Sequence, residues 1–183
     1  MTSDALTDGT SARWGTAIGQ IAARLRSPDF SPGALASLRR HDPGMVMGQP
    51  AFHRLVAGLP DGDLDDRHAG ALRWATVVHA MAIGARPGEA PPDAKAGAAL
   101  AQARLTEARL TRLLAARDDG FRDQVVLVAR ATHAKAIGFS WGELGRLVLA
   151  EGRYEDWAES LRFKIARAYY QTLAHLEDRP KTA

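Results

Sequence analysis

Apolar residues recur at every third or fourth position along nearly the whole chain, and that period most constrains what it can fold into. Trp14, Ile18, Ile21 and Leu25 make one such row behind Thr10 or Ser11, either of which could be the N-cap. Ser31-Pro32 opens a short helix, SPGALASLRR, with Leu35 and Leu38 inward. HDPG at 41–44 punctuates the chain before Pro50 starts PAFHRLVAGL, whose Phe52, Leu55, Val56 and Leu59 share a face. PDGD at 60–63 is a turn by composition. The next helix is expected from about Leu64 to Ile83, with Leu72, Ala75, Val78 and Ala82 on its buried stripe.

ARPGEAPPDAKAG, residues 85–97, is the one clear loop, because its proline and glycine density forbids a continuing helix. Beyond it the helical period resumes. Ala98 to Ala103 is short. Thr106 caps EARLTRLLAAR, where Leu110, Leu113 and Leu114 face in, and Phe121, Val125, Leu127 and Val128 belong to a helix ending near Gly138. Ser140 is placed to cap WGELGRLVLAEG, with Glu143 completing a capping box. A last helix from about Tyr154 to Leu176 carries Trp157, Leu161, Ile165, Ala168 and Tyr169 at helical spacing. No alternating β-branched run and no repeat of 20 to 50 residues is present. The expected fold is all-α, with eight or nine helices in two small bundles and no significant sheet. The lobes are expected at 1–86 and 98–183, joined by the loop at 87–97.

Several kinds of chemistry are excluded at once. With no cysteine, there is no disulfide, thiolate nucleophile or Cys-ligated zinc. No segment approaches the roughly 18 apolar residues of a membrane span, and no signal-peptide pattern opens the chain. The protein is therefore expected to be cytoplasmic, with no membrane contact. The six histidines invite a search for metal ligands. His41-Asp42 resembles the dyad of HD-type phosphohydrolases, but Pro43 and Gly44 follow at once and put it in a turn. Asp65, Asp66 and His68 sit in a first helical turn, where the dipole favours acids. HExxH, GxSxG, GxGxxG and phosphate-loop patterns are all missing. No enzyme activity, metal or cofactor is expected.

The formal charge is +3. Residues 91–183 carry fifteen cations against twelve acids, while residues 1–90 balance at nine each, so the surplus lies in the second half. Twenty of the 24 cations are arginine, whose planar fork suits phosphate, although a GC-rich genome gives the same bias. Arg39 and Arg40 end one helix. Arg109, Arg112 and Arg117 lie opposite the leucines of another, Arg130 and Lys135 end the next, and Arg162, Lys164 and Arg167 dot the last. Faces of this kind are usually just solvated; brought together, they would track a phosphate backbone. Most aromatics take inward positions, Tyr154 and Tyr170 being the exceptions expected to be free to stack on bases.

Three segments, in order, carry a family resemblance. LASLRRHDPGMVMGQPAFHRLV (35–56) joins a Leu-Arg-Arg helix end to Pro-Ala-Phe-x-Arg-Leu-Val. GAALAQARLTEARLTRLLAARD (97–118) leads a small-residue helix into Glu-x-Arg and a Leu-Leu pair. FSWGELGRLVLAEGRYEDWAESLRFKIARAYYQ (139–171) runs from an aromatic-x-Trp turn to Ala-x-Tyr-Tyr. Together they resemble the CasB family, the small subunit of type I-E CRISPR Cascade, over nearly the whole chain. The resemblance implies a non-catalytic protein of two helical bundles that pairs with a second copy of itself. It would lie against the backbone and large subunits of the complex and contact crRNA and target DNA to stabilise the R-loop in antiviral defence. Carried over by position, the family's nucleic-acid-binding arginines fall on Arg39 and Arg40, then Arg67, then Arg112 or Arg117, and Arg130. Ala108 after Glu107, and Ala115-Ala116 before Arg117, depart from the pattern and blur the helical register of this basic face. Ser140 stands where an acid is common. The competing reading is a helical adaptor of another intracellular machine that binds protein only and whose arginines serve solubility and intramolecular ion pairs; a hydrolase is a distant third.

Overall fold

The structure, a computed structural model, describes residues 3–64 and 69–178. Among these there is no strand, and eleven helices follow one another: α1 Ser3–Arg26, α2 Pro32–Arg40, α3 Pro43–Val46, α4 Pro50–Val56, α5 Asp61–Leu64, α6 Ala69–Gly84, α7 Ala96–Gln102, α8 Glu107–Ala115, α9 Asp118–Ala134, α10 Gly142–Ala150 and α11 Glu155–Glu177. The all-α fold is the one the apolar period dictates. The count exceeds eight or nine because two four-residue helices, α3 and α5, form where the sequence reads as punctuation. In α3 the HDPG turn is itself a helix start: Pro43 sits at the first position and the Asp42 carboxylate accepts from Met45 N at 3.1 Å.

α6 is the centre. From Trp74 to Ile83 every residue is buried, so this helix is enclosed on all sides rather than amphipathic. α9, α2, α3, α10 and α1 pack around it, while α7 lies along α11. The buried side chains form one continuous cluster, in which Trp14, Trp74, Phe52, Phe121 and Tyr169 are the largest. Gly97 allows the closest helix contact. A Cβ there would overlap the Ile165 carbonyl oxygen and come within 2.8 Å of the Tyr169 nitrogen. Tyr169 locks the same contact by donating its hydroxyl to Leu105 O at 2.5 Å.

Two expected helix starts lie elsewhere. Neither Thr10 nor Ser11 is a cap, since α1 runs through both; hydroxyl residues are at best neutral inside a helix, and packing against α10 and α6 holds α1 through them. Ser140 precedes the N-cap of α10, which is Trp141, and bonds Gly142 N at 3.4 Å. The capping box is not formed, because the Ser140 N–H donates instead to Ala94 O at 2.9 Å.

Ion pairs with at least one buried partner fasten the helix ends. Asp63 accepts from Arg13 Nε and Nη2 and from Trp14 Nε1, all at 3.0–3.1 Å, fixing α5 to α1. Arg162 is buried over the Phe121 ring and bonds Glu159 at 2.9 Å, with Glu155 and Glu151 at 3.7 and 3.9 Å. Glu151 in turn accepts from Asp118 N at 3.1 Å, so this group ties the start of α9 to α11.

Candidate nucleic-acid interface

The C-termini of four helices meet at the end of α6, and each brings cations. A helix C-terminus carries partial negative charge, so basic residues in or just after a last turn are locally favourable. α1 ends in Arg24 and Arg26 and α2 in Arg39 and Arg40; α9 has His133 in its last turn, Lys135 at its C-cap and Arg130 one turn earlier, and Arg86 comes just after α6. Arg39 reaches across from α2 and donates to Ala82 O at 2.7 Å (Nε) and Ala85 O at 2.5 Å (Nη2), capping α6 from outside. Burial there lowers its guanidinium pKa from the ordinary arginine value. Arg26 accepts Gly88 N–H on its carbonyl at 2.8 Å and donates to Ala90 O at 3.4 Å. Its pKa is also lowered, first by burial and then by the charge of Arg86, against the opposing pull of Glu89. Arg26, Arg86 and His133 line one cavity of about 110 Å³, in which Glu89 is the acid, 3.7 Å from Arg86.

His79 ties this region to α9. Its ring is buried in α6, and Nδ1 lies 2.7 Å from Leu38 O, so Nδ1 carries the proton and donates. Burial lowers the pKa of His79, the Leu38 bond opposes that shift, and the charges of Arg130 and Asp42 act on it in opposite directions. α9 packs along α6, and Arg130 lies one turn before the end of α9. Arg40 and Arg130 are exposed, without a hydrogen bond or ion pair among the described residues.

A second feature adjoins the first along α9. Leu105, Arg109 and Arg112 face Gln124, Leu127, Val128 and Ala131 across a groove of about 190 Å³ that contains no acid. Leu127 is 53% exposed on its rim.

The six arginines singled out in the sequence thus separate. Arg39, Arg40 and Arg130 come together around α6, and Arg112 stands in the neighbouring groove. Arg117 is engaged elsewhere, with Nη1 donating to the carbonyls of Leu114, Ala115 and Ala116 at 3.0 Å and Nη2 to Glu159 at 2.8 Å. Arg67, with Asp65, Asp66 and His68, lies outside the described residues. Arg26, Arg86 and His133 join this surface and were not singled out, while Arg109, read in the sequence as part of the same basic face as Arg112, stands beside it in the groove. The common signal of the first three is position: each lies in a last helical turn or just beyond a helix end. Tyr154, one of the two aromatics expected to be free, stands half-buried 5.9 Å from Trp14, which stacks on Trp157 at 5.4 Å. Tyr170 is exposed.

No group of three or more metal-ligating side chains gathers among the described residues. Among them too, no helix is long and apolar enough to cross a membrane. Fold and surface together define an all-helical protein with a cationic face assembled from helix ends. The family model for CRISPR-associated protein Cse2 matches residues 34–170, and the chain belongs to that family. Cse2 is the CasB small subunit, so the match agrees with the resemblance carried by the three segments. No curated protein sequence matches the chain. A chain of the crystal structure of E. coli Cascade bound to a PAM-containing dsDNA target (32-nt spacer) has a similar fold. The TM-score is 0.60 at 20% identity, over 83% of this chain and 95% of that one.

Proposed function

We propose that this protein is the non-catalytic small subunit of a type I-E Cascade complex and that it holds nucleic-acid backbone to stabilise the R-loop. Membership of the Cse2 family across residues 34–170 carries the reading. It is supported by the likeness in fold to a chain of a Cascade complex bound to target DNA and by the cationic surface at the end of α6. Its partners are the other subunits, a second copy of itself, crRNA and target DNA, in the cytoplasm and without a cofactor. Base pairing with the guide supplies sequence specificity, so the subunit needs only phosphate and shape contacts. Exposed arginines without partners among the described residues serve that purpose: Arg40 and Arg130 near the end of α6 and Arg112 in the α8–α9 groove; Arg67, outside the described residues, is proposed with them from the family resemblance alone. Arg39 contributes by holding α2 against α6, and Arg117 by fixing the α8–α9 junction to α11.

Salt titration of single-strand binding tests the electrostatic content. Neutralising about four to six phosphates gives a log–log slope of roughly −3 to −4. Little binding, with a slope near zero, would favour the protein-only adaptor.

A further inference from the structure

The solvent side of α11 carries the most exposed aromatic ring among the described residues. Phe163 is 68% exposed and Tyr170 46%. Seven residues apart, they sit two turns and about 10 Å from each other along one helix face. Exposed Lys164 and Arg167 fill the interval, and Arg167 is one turn from either ring. Neither cation has a hydrogen bond or ion pair among the described residues. The nearby acids are already engaged. Glu159 accepts from Arg117 at 2.8 Å and from Arg162 at 2.9 Å, and Glu107 accepts the Tyr170 hydroxyl at 3.1 Å. Glu107 keeps its charge at the Tyr170 end, so the stripe sets two cations, Lys164 and Arg167, against that acid; the Glu107 bond, with Tyr169 edge-on at 5.2 Å, holds the Tyr170 ring in place.

The stripe also has a position. Glu107 at one end of α8 meets Tyr170, and Arg117 beyond its other end meets Glu159, so α8 runs antiparallel beside residues 159–170. α8 also contributes Arg109 and Arg112 to the acid-free groove against α9. Single exposed apolar residues need no explanation. Two exposed rings bracketing unpaired cations, beside an arginine groove, have the chemistry that single-strand binders use: bases stack on rings while cations follow the phosphates.

We infer that Phe163, Arg167 and Tyr170 form a stacking platform for single-stranded nucleic acid, with Lys164 and Arg167 on its phosphates. The inference rests on the nucleic-acid reading above and adds base contact to what is otherwise backbone recognition. A strand laid across it continues toward Arg109 and Arg112.

The full chain is titrated with a labelled oligothymidylate and with an abasic oligomer of equal length, each over a range of salt. Wild-type protein should prefer the base-bearing strand. Phe163→Ala should bind it about tenfold more weakly with an unchanged salt slope, and Phe163→Trp should restore the preference. Arg167→Ala should weaken both oligomers alike and reduce the slope by about 0.7. Equal loss on both oligomers in Phe163→Ala, or no loss on either, overturns the platform while leaving phosphate binding intact. Failure of Phe163→Ala to join the reconstituted complex, with oligonucleotide binding unchanged, overturns it in favour of a protein contact. If wild-type protein binds neither oligomer at low salt, the nucleic-acid reading itself fails and the platform with it.

Discussion

Replacing Arg39 by alanine should destabilise the fold, whereas the same change at Arg40, its neighbour, should not. Arg39 makes two hydrogen bonds from a charged donor to carbonyls at the C-terminal end of α6, at 2.7 and 2.5 Å. Buried bonds of this kind contribute about 1.5–3 kcal/mol each. Arg39 is only half-buried and water re-solvates the freed carbonyls, so screening reduces the two together to about 2 kcal/mol. At about 2–4 °C per kcal/mol for a chain of this size, the melting point should fall by about 4–8 °C. Urea unfolding should show a lower midpoint at unchanged m, the mark of lost stability without a change in compactness. Arg40 is exposed and without a partner among the described residues, so Arg40→Ala should stay within about 0.5 kcal/mol of wild type. It should instead reduce the salt slope of single-strand binding by about 0.7. An Arg39→Ala protein that unfolds with wild type would refute the anchoring role, and an Arg40→Ala protein that unfolds early would refute the division of labour.

Gly97→Ala forces α7 off the Ile165 carbonyl. Overpacking costs about 1–3 kcal/mol or more, beyond the roughly 1 kcal/mol that alanine returns in helix propensity. Gly19→Ala, with open space around it, should be neutral or stabilising in the same thermal melt. Arg162→Ala strands the buried Glu151 with Asp118 N–H as its hydrogen-bond donor; a loss of about 3–5 kcal/mol in urea unfolding is expected. His79 has a lowered folded-state pKa, so below about 6.5 the unfolded chain binds a proton that the folded chain refuses. Stability should hold above that pH and fall below it, by at most about 1.4 kcal/mol per pH unit from this group. His79→Gln should flatten that part of a pH series of urea midpoints.

The helical rows were legible because burial acts on spacing: Trp14–Leu25, Leu35–Leu38 and Leu161–Tyr169 all face the core as their periods require. What the period could not carry was the identity of each end. α3 hides in HDPG because the residues that make a turn also start a helix, and Thr10 and Ser11 read as caps because a hydroxyl serves either place. Arg39 and Arg40 show the same limit at the site. They are the same residue type side by side, and only the placement of α6 against α2 decides which guanidinium meets a helix end and which meets solvent. Arg26, Arg86 and His133 come from separate stretches of sequence, and no spacing rule unites them before α1, α6 and α9 end at one place. Arg117 looked like part of a basic face, and its geometry instead turns the fork onto its own chain.

The most direct test of a backbone-holding subunit is R-loop formation on matched DNA by the reconstituted RNA-guided complex, with and without this protein, and with Arg40, Arg112 and Arg130 all changed to Ala. R-loops should weaken when the protein is omitted and, with assembly intact, in the triple variant. R-loops indifferent to its presence, or a triple variant that assembles and performs as wild type, would contradict the assignment of those arginines to nucleic acid.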